Sequence, residues 1–159
     1  MRRELIIAAV AASVMGLASG ARARPIPDGG VTVSEVANIM QNRGFRAEIT
    51  TTDDGRPLIK SSSSGYRFGV YFYGCKEGRC PSIQFASAFD MADGMSLKSV
   101  NEWNSTSRFG RAYLDNENDP FVEMDIDVER GFTTQALSNN LSTWEAVLGR
   151  FREFVSKHQ

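Results

Sequence analysis

The two cysteines are the most reactive side chains of the chain. Cys75 and Cys80 are separated by the four residues Lys-Glu-Gly-Arg. A redox-active pair usually has a C-x-x-C spacing at the start of a helix, and this spacing differs from it. A tight hairpin would instead set the two side chains opposite each other, at a separation that a disulfide can bridge. The spacing therefore predicts a structural disulfide between Cys75 and Cys80.

Other side chains that could perform catalysis or hold a metal are sparse. The only histidine is His158, next to last in the chain, where chain ends fray. Without a second histidine, no Ser–His or Cys–His pair can form. Two cysteines and one terminal histidine also cannot make a zinc site. Because no phosphate-binding loop or nucleophile motif occurs either, we expect a non-enzyme without cofactor or metal.

Carboxylates leave one alternative open, an envelope hydrolase that uses Asp90, Asp93 or Asp119. Asp90 and Asp93 could form a hydrolytic pair, although aspartates beside glycine are usually turn residues. The segment 115–119 begins like a calcium loop, with oxygen ligands at alternate positions. The positions that require glycine and a bidentate glutamate hold Pro120 and Ile126 instead. This pattern favours a solvated hairpin turn.

Aromatic side chains form the remaining candidate site. In the strongest predicted strand, Tyr71 and Tyr73 alternate with apolar residues and therefore lie on the opposite face. They are either covered by a helix or exposed to a partner, and tyrosine suits a contact surface because its ring buries area while its hydroxyl stays hydrogen-bonded. Trp103, on a short predicted helix, has the same two interpretations. We take Tyr71, Tyr73 and Trp103 as the candidate partner surface.

The elements that position these residues follow from hydrophobic periodicity and turn signals. Antiparallel hairpins with helices on one face make this an α+β fold. In the last strand, apolar residues alternate with Glu123, Asp125, Asp127 and Glu129, and both Arg108 and Arg111 compete for that acidic row. The predicted order is α-β-β-β-β-α-β-β-α, with a helix to about residue 43, strands at about 45–52, 57–62, 66–73 and 82–89, a helix from about 96, strands at about 108–114 and 121–128, and a long final helix from about 133.

The first 23 residues have the pattern of a secretory signal peptide. A basic start precedes the uncharged run 5–18, and Ala21-Arg22-Ala23 fits an A-x-A cleavage site. The apolar run is shorter than the roughly 20 residues that span a bilayer. We therefore predict a signal peptide at 1–23, a single domain at 24–159, a periplasmic location, and no membrane span after signal removal.

Composition narrows the classes of partner. The chain is 42% hydrophobic and 23% charged, which is typical of a globular protein. Removal of residues 1–23 leaves 15 basic against 18 acidic residues, a net charge of −3. Such a chain lacks the basic tract that grips phosphate backbones or anionic lipid. Nucleic-acid binding is therefore not expected.

The segment from Val100 to Glu129 resembles the YbjN family, to which a role in bacterial sensory transduction has been ascribed. The resemblance lies in Val-Asn-Glu-Trp-Asn at 100–104, in Arg-Phe-Gly-Arg-Ala-Tyr-Leu-Asp at 108–115, and in Asp119-Pro120 before the acidic strand. It implies a fold similar to type III secretion chaperones, a compact α+β module that often forms homodimers and holds another polypeptide. It implies no catalytic residue and no cofactor.

Together these observations predict a non-catalytic, exported protein-binding or regulatory module of chaperone-like fold. Its protein partner is not identified by any residue pattern. Two alternatives stay open, the carboxylate hydrolase and a binder of small ligands in a cleft between sheet and helices.

Overall fold

The computed structural model describes residues 23–158, so the predicted signal peptide lies almost entirely outside the described residues. Residues 23–158 form three helices and six strands in the predicted order. Their bounds are α1 Val33–Asn42, β1 Glu48–Thr51, β2 Pro57–Ser63, β3 Tyr66–Tyr73, β4 Ser82–Ala88, α2 Leu97–Thr106, β5 Arg111–Leu114, β6 Pro120–Asp127 and α3 Thr134–Ser156.

The strands form one sheet in the spatial order β1-β2-β3-β4-β6-β5, and every neighbouring pair is antiparallel. The predicted α+β class, the order of elements and the antiparallel sheet are confirmed. The register of β5 on β6 places Arg111 opposite Glu123, and Arg111 contacts the carboxylates of Glu123 and Asp125. Arg111 is thus the arginine that pairs with the acidic row.

The hydrophobic core lies between the three helices and one face of the sheet. Trp144 of α3 is fully buried and stacks on Phe85 of β4 at 5.7 Å between ring centroids. Phe68 of β3 meets the same indole edge-on at 5.8 Å. Truncation of a buried tryptophan costs roughly 3 to 5 kcal/mol, so this cluster fixes α3 on the sheet.

Local signals set the helix starts. Thr32 and Glu35 form a capping box at α1, in which Thr32 Oγ1 accepts from the Glu35 backbone N–H and Glu35 Oε2 accepts from that of Thr32. The reciprocal bonds satisfy two N–H groups that a helix start leaves free. Thr133 caps α3 in a similar way through the Ala136 N–H.

Two predicted strands are shorter in the structure. The strand expected from residue 45 begins at Glu48, and the strand expected from residue 108 begins at Arg111. Gly110 has a φ of 78°, and a Cβ there would lie 2.6 Å from Val147 Cγ1. Because this turn must pass close to α3, strand geometry starts only after it.

No helix of residues 23–158 combines the length and apolar character needed to cross a membrane.

Candidate protein-binding surface

One face of the sheet carries no helix among residues 23–158, and we call it the open face. The register that buries Phe68 and Val70 beneath the helices points the intervening side chains of β3 the other way. Tyr71 and Tyr73 therefore lie on the open face, where both are half-buried. The sequence did not decide whether a helix covers these two tyrosines, and the structure places them on the side of the sheet without helices.

Trp103 has a different location. Its side chain is buried, with 3% exposure, and its ring lies 4.8 Å from that of Phe151 in an edge-to-face contact. The indole Nε1 donates to the carbonyl of Gly110 at 2.9 Å. Trp103 is thus a core residue that holds α2 on α3, and it contributes nothing to the open face.

A shallow depression of about 360 Å³ lies at the centre of the open face. It exists because Gly69 of β3 lacks a side chain. A Cβ at Gly69 would lie 2.8 Å from Tyr71 Cε2 and 3.0 Å from Leu58 Cδ1. The Tyr71 ring therefore leans over the glycine, and the other walls come from Ala86, Ala88 and Phe121.

A hydrogen-bonded network crosses the open face from β3 to β5. Tyr73 donates to Gln84 Oε1 at 3.1 Å, and Gln84 Nε2 donates to Asp125 at 2.8 Å and to Glu123 at 3.3 Å. Tyr113 donates to the second oxygen of Glu123 at 2.9 Å. Glu123 is only 8% exposed, yet both of its oxygens have partners, as a buried carboxylate requires. The network holds these side chains in fixed orientations.

The network and its surroundings also affect the tyrosines. Burial, followed by the proximity of Tyr73 and Glu123, raises the pKa of Tyr71 above its usual value. Burial and the hydrogen bond to Glu123 raise the pKa of Tyr113. Because an unperturbed tyrosine titrates near pH 10, both hydroxyls stay protonated at neutral pH, and that of Tyr113 donates to Glu123.

Charged side chains lie toward the two margins of the open face. Lys60 of β2 is exposed, and the Arg56 guanidinium lies 5.6 Å from the centre of the Tyr73 ring. The opposite margin carries Asp125 and Asp127 of β6, both exposed. The open face therefore has an aromatic and small-residue centre with charged side chains of both signs toward its margins, the layout typical of protein interfaces.

The cysteine pair forms the predicted disulfide. Residues 76–79 make the hairpin turn, and the backbone of Cys80 exchanges two hydrogen bonds with Val31. Arg79 donates to the Gly30 carbonyl at 2.7 Å and to the Glu35 carboxylate at 3.2 Å. The hairpin thus ties the segment before α1 to the sheet, at the end of β3 and β4 where Tyr73 pairs with Ser82.

The acidic residues considered for hydrolysis have structural roles or lie in solvent. Asp90 and Asp93 are exposed, and Asp119 Oδ1 accepts from the Met91 N–H at 2.8 Å. Asp115 Oδ1 accepts from the backbone N–H groups of Glu117 and Asp119, both at 2.9 Å. These contacts stabilise the turn at 115–119. Within the part of the chain that the structure describes, no three acidic, histidine or cysteine side chains form a group that could hold a metal ion.

His158 lies just after α3. Its Nδ1 is 2.8 Å from the Phe154 carbonyl oxygen, and its ring lies 4.3 Å from that of Phe154. His158 therefore contacts the C-terminal end of α3.

Sequence reasoning missed Gln84 and Glu123 as parts of the surface. The alternation in β6 did place Glu123 on the polar face, but its burial depends on Gln84 and Tyr113 from the two flanking strands. That pairing, β4 against β6 across an intervening helix and strand, is long-range. The alternation of apolar and polar residues in β6 does not predict this pairing of β4 with β6.

Comparison with known proteins adds one match. The family model described as "Putative bacterial sensory transduction regulator", YbjN, matches residues 32–157. No curated protein and no solved structure matches the chain, so the similarity to type III secretion chaperones stays a prediction. The matched region runs from the N-cap of α1 to the end of α3 and includes the whole sheet, and the chain therefore belongs to the YbjN family.

Proposed function

We propose that the chain is an exported, non-catalytic regulatory module that binds another polypeptide through the open face. One observation carries this proposal: the face presents the half-buried Tyr71 and Tyr73, with Tyr71 packed over Gly69 and Tyr73 held by a hydrogen-bonded network. Pre-ordered aromatic side chains lose little entropy on binding and bury much area. The ascribed role of the family in sensory transduction agrees with a module that acts by binding.

Export follows from the sequence pattern of residues 1–23. Cleavage after Ala23 would retain the contacts of Arg24, whose N–H donates to Thr134 Oγ1 at 3.1 Å and whose carbonyl accepts from the Thr134 N–H at 2.9 Å. We expect the chain to fractionate with the periplasm and to begin at Arg24 in mass spectrometry. A protein recovered from the cytoplasm with residues 1–23 intact would contradict export.

Site-specific photo-cross-linking in intact envelopes tests the binding surface. A photoreactive phenylalanine replaces Tyr73 on the open face, and in a matched control it replaces Lys98, which is exposed on α2. We expect the Tyr73 position to give covalent adducts with a polypeptide and the Lys98 position to give far fewer. Equal adducts from both positions, or none from Tyr73, would remove the basis for the open face as the contact surface.

The hydrolase alternative has weaker support, because Asp90 and Asp93 are exposed and Asp119 already accepts a backbone hydrogen bond from the Met91 N–H. Turnover of a substrate by the purified protein, abolished by Asp119→Asn, would favour it over binding.

A further inference from the structure

We infer that the open face binds an extended, acidic segment of its polypeptide partner, which places an apolar side chain in the depression beside Gly69 and a carboxylate between Lys60 and Arg67. The inference rests on the proposed function, because it requires the open face to contact a polypeptide. It goes further by naming the chemistry of the bound segment. Three features carry it: two cations without an acidic partner, a tyrosine hydroxyl without an acceptor, and an apolar floor.

Lys60 and Arg67 are exposed bases that border the depression. Neither forms an ion pair with another residue of the range 23–158, whereas Arg46 and Arg111 each contact a carboxylate at 2.7 Å. Lys60 lies opposite Gly69 in the register, and Arg67 precedes Gly69 by two residues on β3. Such diagonal neighbours have Cβ atoms roughly 7 Å apart, so one carboxylate can contact both of these long side chains.

The acids of the open face do not neutralise this pair of cations. Glu123 is three strands from Lys60, which corresponds to about 14 Å at the usual strand spacing and exceeds the screening length of roughly 8 Å at physiological salt. Its carboxylate already contacts Arg111. Glu48, opposite Lys60 on β1, is paired with Arg46. A bound carboxylate would therefore meet uncompensated positive charge.

The hydroxyl of Tyr71 is a donor without an acceptor. A Cβ at Gly69 would lie 3.2 Å from Tyr71 Cζ, so the phenol end of the ring lies over the depression. The hydroxyls of Tyr73 and Tyr113 have acceptors, but no group of residues 23–158 accepts a hydrogen bond from Tyr71. Covering an unbonded hydroxyl costs free energy. A partner that covers the depression must therefore bring an acceptor, such as a carboxylate or a peptide carbonyl.

Small and apolar side chains form the rest of the depression. Ala86 and Ala88 lie beside Gly69, and Phe121 forms a wall. The Phe121 ring stacks on that of Tyr113 at 5.1 Å between centroids, which holds the wall in place. The volume of about 360 Å³ lies at the lower end of the range for ligand pockets. It suits an apolar side chain of a peptide better than a molecule the size of a cofactor.

Spacing sets the order of the two groups in the bound segment. Successive side chains of an extended chain point to opposite sides, and residues two apart lie on the same side, about 6.6 Å from each other. Arg67 and Gly69 on β3 are separated by the same two residues. The bound segment therefore has its carboxylate two residues from its apolar side chain.

Peptide titrations followed by NMR test the inference on the chain purified in the form that its host makes. The probe is the acetylated and amidated peptide Thr-Glu-Thr-Leu-Thr, and two control peptides replace its glutamate by lysine or its leucine by serine. We expect the probe to shift the amide signals of Gly69 and Ala86 with a dissociation constant no weaker than about 1 mM. Both control peptides should bind at least about tenfold more weakly.

Variants of the two cations test the place of the carboxylate. Lys60→Gln combined with Arg67→Gln should weaken the acidic probe at least about tenfold and leave the lysine peptide unchanged. The matched control, Lys98→Gln with Arg150→Gln, removes the same charge from exposed positions on α2 and α3 and should change neither affinity. Circular dichroism checks that each variant is folded. Equal losses in the two double variants would mean that only net charge matters, and would overturn the site.

A carboxylate supplied from within the chain gives a second test. Ala88 is exposed and borders the depression together with Arg67, so the side chain introduced by Ala88→Glu can pair with Arg67 and compete with the acidic probe. Ala88→Gln introduces a side chain of the same size without the charge and should compete far less. Equal inhibition by both variants would contradict a carboxylate at this position.

The outcomes also separate this inference from the proposed function. If Tyr73 gives adducts with a polypeptide but the acidic probe binds no better than the lysine peptide, the open face stays a contact surface and the acidic segment is wrong. No binding of the probe and no adduct from Tyr73 would overturn both. Inorganic phosphate that shifts the same amides as strongly as the probe, without any contribution from leucine, would indicate a small anion and overturn the inference.

Discussion

At the level of single residues, Gly69 controls the position of Tyr71. We predict that Gly69→Ala pushes the Tyr71 ring outward, since the added Cβ would lie 2.8 Å from its Cε2 and the ring is the more mobile of the two groups. The pKa of Tyr71, which burial raises, should then fall toward its usual value. NMR titration of ring-labelled tyrosine measures this change.

The matched control is Gly149→Ala on α3, where an added Cβ has no neighbour within 4 Å. It should leave the pKa of Tyr71 unchanged and stabilise the helix by up to about 1 kcal/mol. An unchanged Tyr71 titration in Gly69→Ala would show that the ring does not depend on the glycine.

Glu35 links acid stability to the cysteine hairpin. Burial by itself would raise its pKa, but hydrogen bonds from Thr32 and Arg79 and the charge of Arg79 bring the pKa below the usual 4.5. A carboxylate with a lowered folded-state pKa contributes stability above its unfolded-state pKa, and this is lost as the pH falls through the folded-state value.

We therefore predict that Glu35→Gln lowers the free energy of unfolding at pH 7 by about 0.5 to 1 kcal/mol, given the partial exposure of the ion pair. The difference should disappear well below pH 4.5. Glutamine retains the capping-box hydrogen bond, so the variant removes only the negative charge of the side chain. Urea unfolding across pH measures it, with Glu153→Gln, exposed on α3, as the control. A loss of equal size at all pH values would contradict the linkage.

Residue types and spacing predicted that Tyr71 and Tyr73 share one face and that the two cysteines form a disulfide. They did not predict that Trp103 is buried. Spacing put Leu97, Val100 and Trp103 on one stripe of α2, yet Leu97 is 76% exposed while Trp103 is buried. The difference arises because α3 covers only one end of the stripe, through Phe151 and Phe154. Contacts between elements so far apart in sequence produce no periodic pattern in the sequence that could predict them.

At the level of elements, the outer edge of β5 is closed by a side chain of α2. Asn104 Oδ1 accepts from the Ala112 N–H at 2.8 Å, and its Nδ2 donates to the Ala112 carbonyl at 3.0 Å. The amide thus makes the two bonds that an added strand would make. Covered edges are one way in which sheets avoid uncontrolled pairing with other chains.

We predict that Asn104→Ala lowers the free energy of unfolding by about 1 to 3 kcal/mol, because it leaves both polar groups of Ala112 without their partner. Hydrogen exchange of the Ala112 amide should accelerate. Asn101→Ala, exposed on the same helix, serves as the control and should change neither quantity. Unchanged exchange at Ala112 would mean that other groups protect this edge.

At the level of the whole molecule, element order and class follow from the sequence because each hairpin is local and α3 has a continuous apolar stripe. The position of β6 between β4 and β5 depends on pairing between strands that lie about forty residues apart. The alternation of apolar and polar residues within a strand does not specify which strand it pairs with. The open face is a consequence of the same assembly. It arises because all three helices bury their apolar stripes on one side of the sheet, which no single segment specifies.

The final prediction concerns the attachment of the N-terminal segment to this assembly. The Cys75–Cys80 bond closes the hairpin whose last residue pairs with Val31, and a Cβ at Gly30 would lie 2.1 Å from the Cys80 carbonyl oxygen. The segment before α1 therefore rests directly on the hairpin. Removing the disulfide by Cys75→Ser and Cys80→Ala together should lower the free energy of unfolding by roughly 2 kcal/mol, from loop-closure entropy.

Hydrogen exchange should locate that loss. Faster exchange is expected at Val31 and Cys80, whose N–H groups bond each other's carbonyls at 3.0 and 2.8 Å, while Ile83 and Phe85 in the centre of the sheet keep their protection. The open face lies on those central strands, so the photo-cross-linked adducts from the Tyr73 position should persist in the variant. Equal acceleration throughout the sheet would instead mean that the disulfide supports the entire fold, and that the hairpin and the open face are not independent.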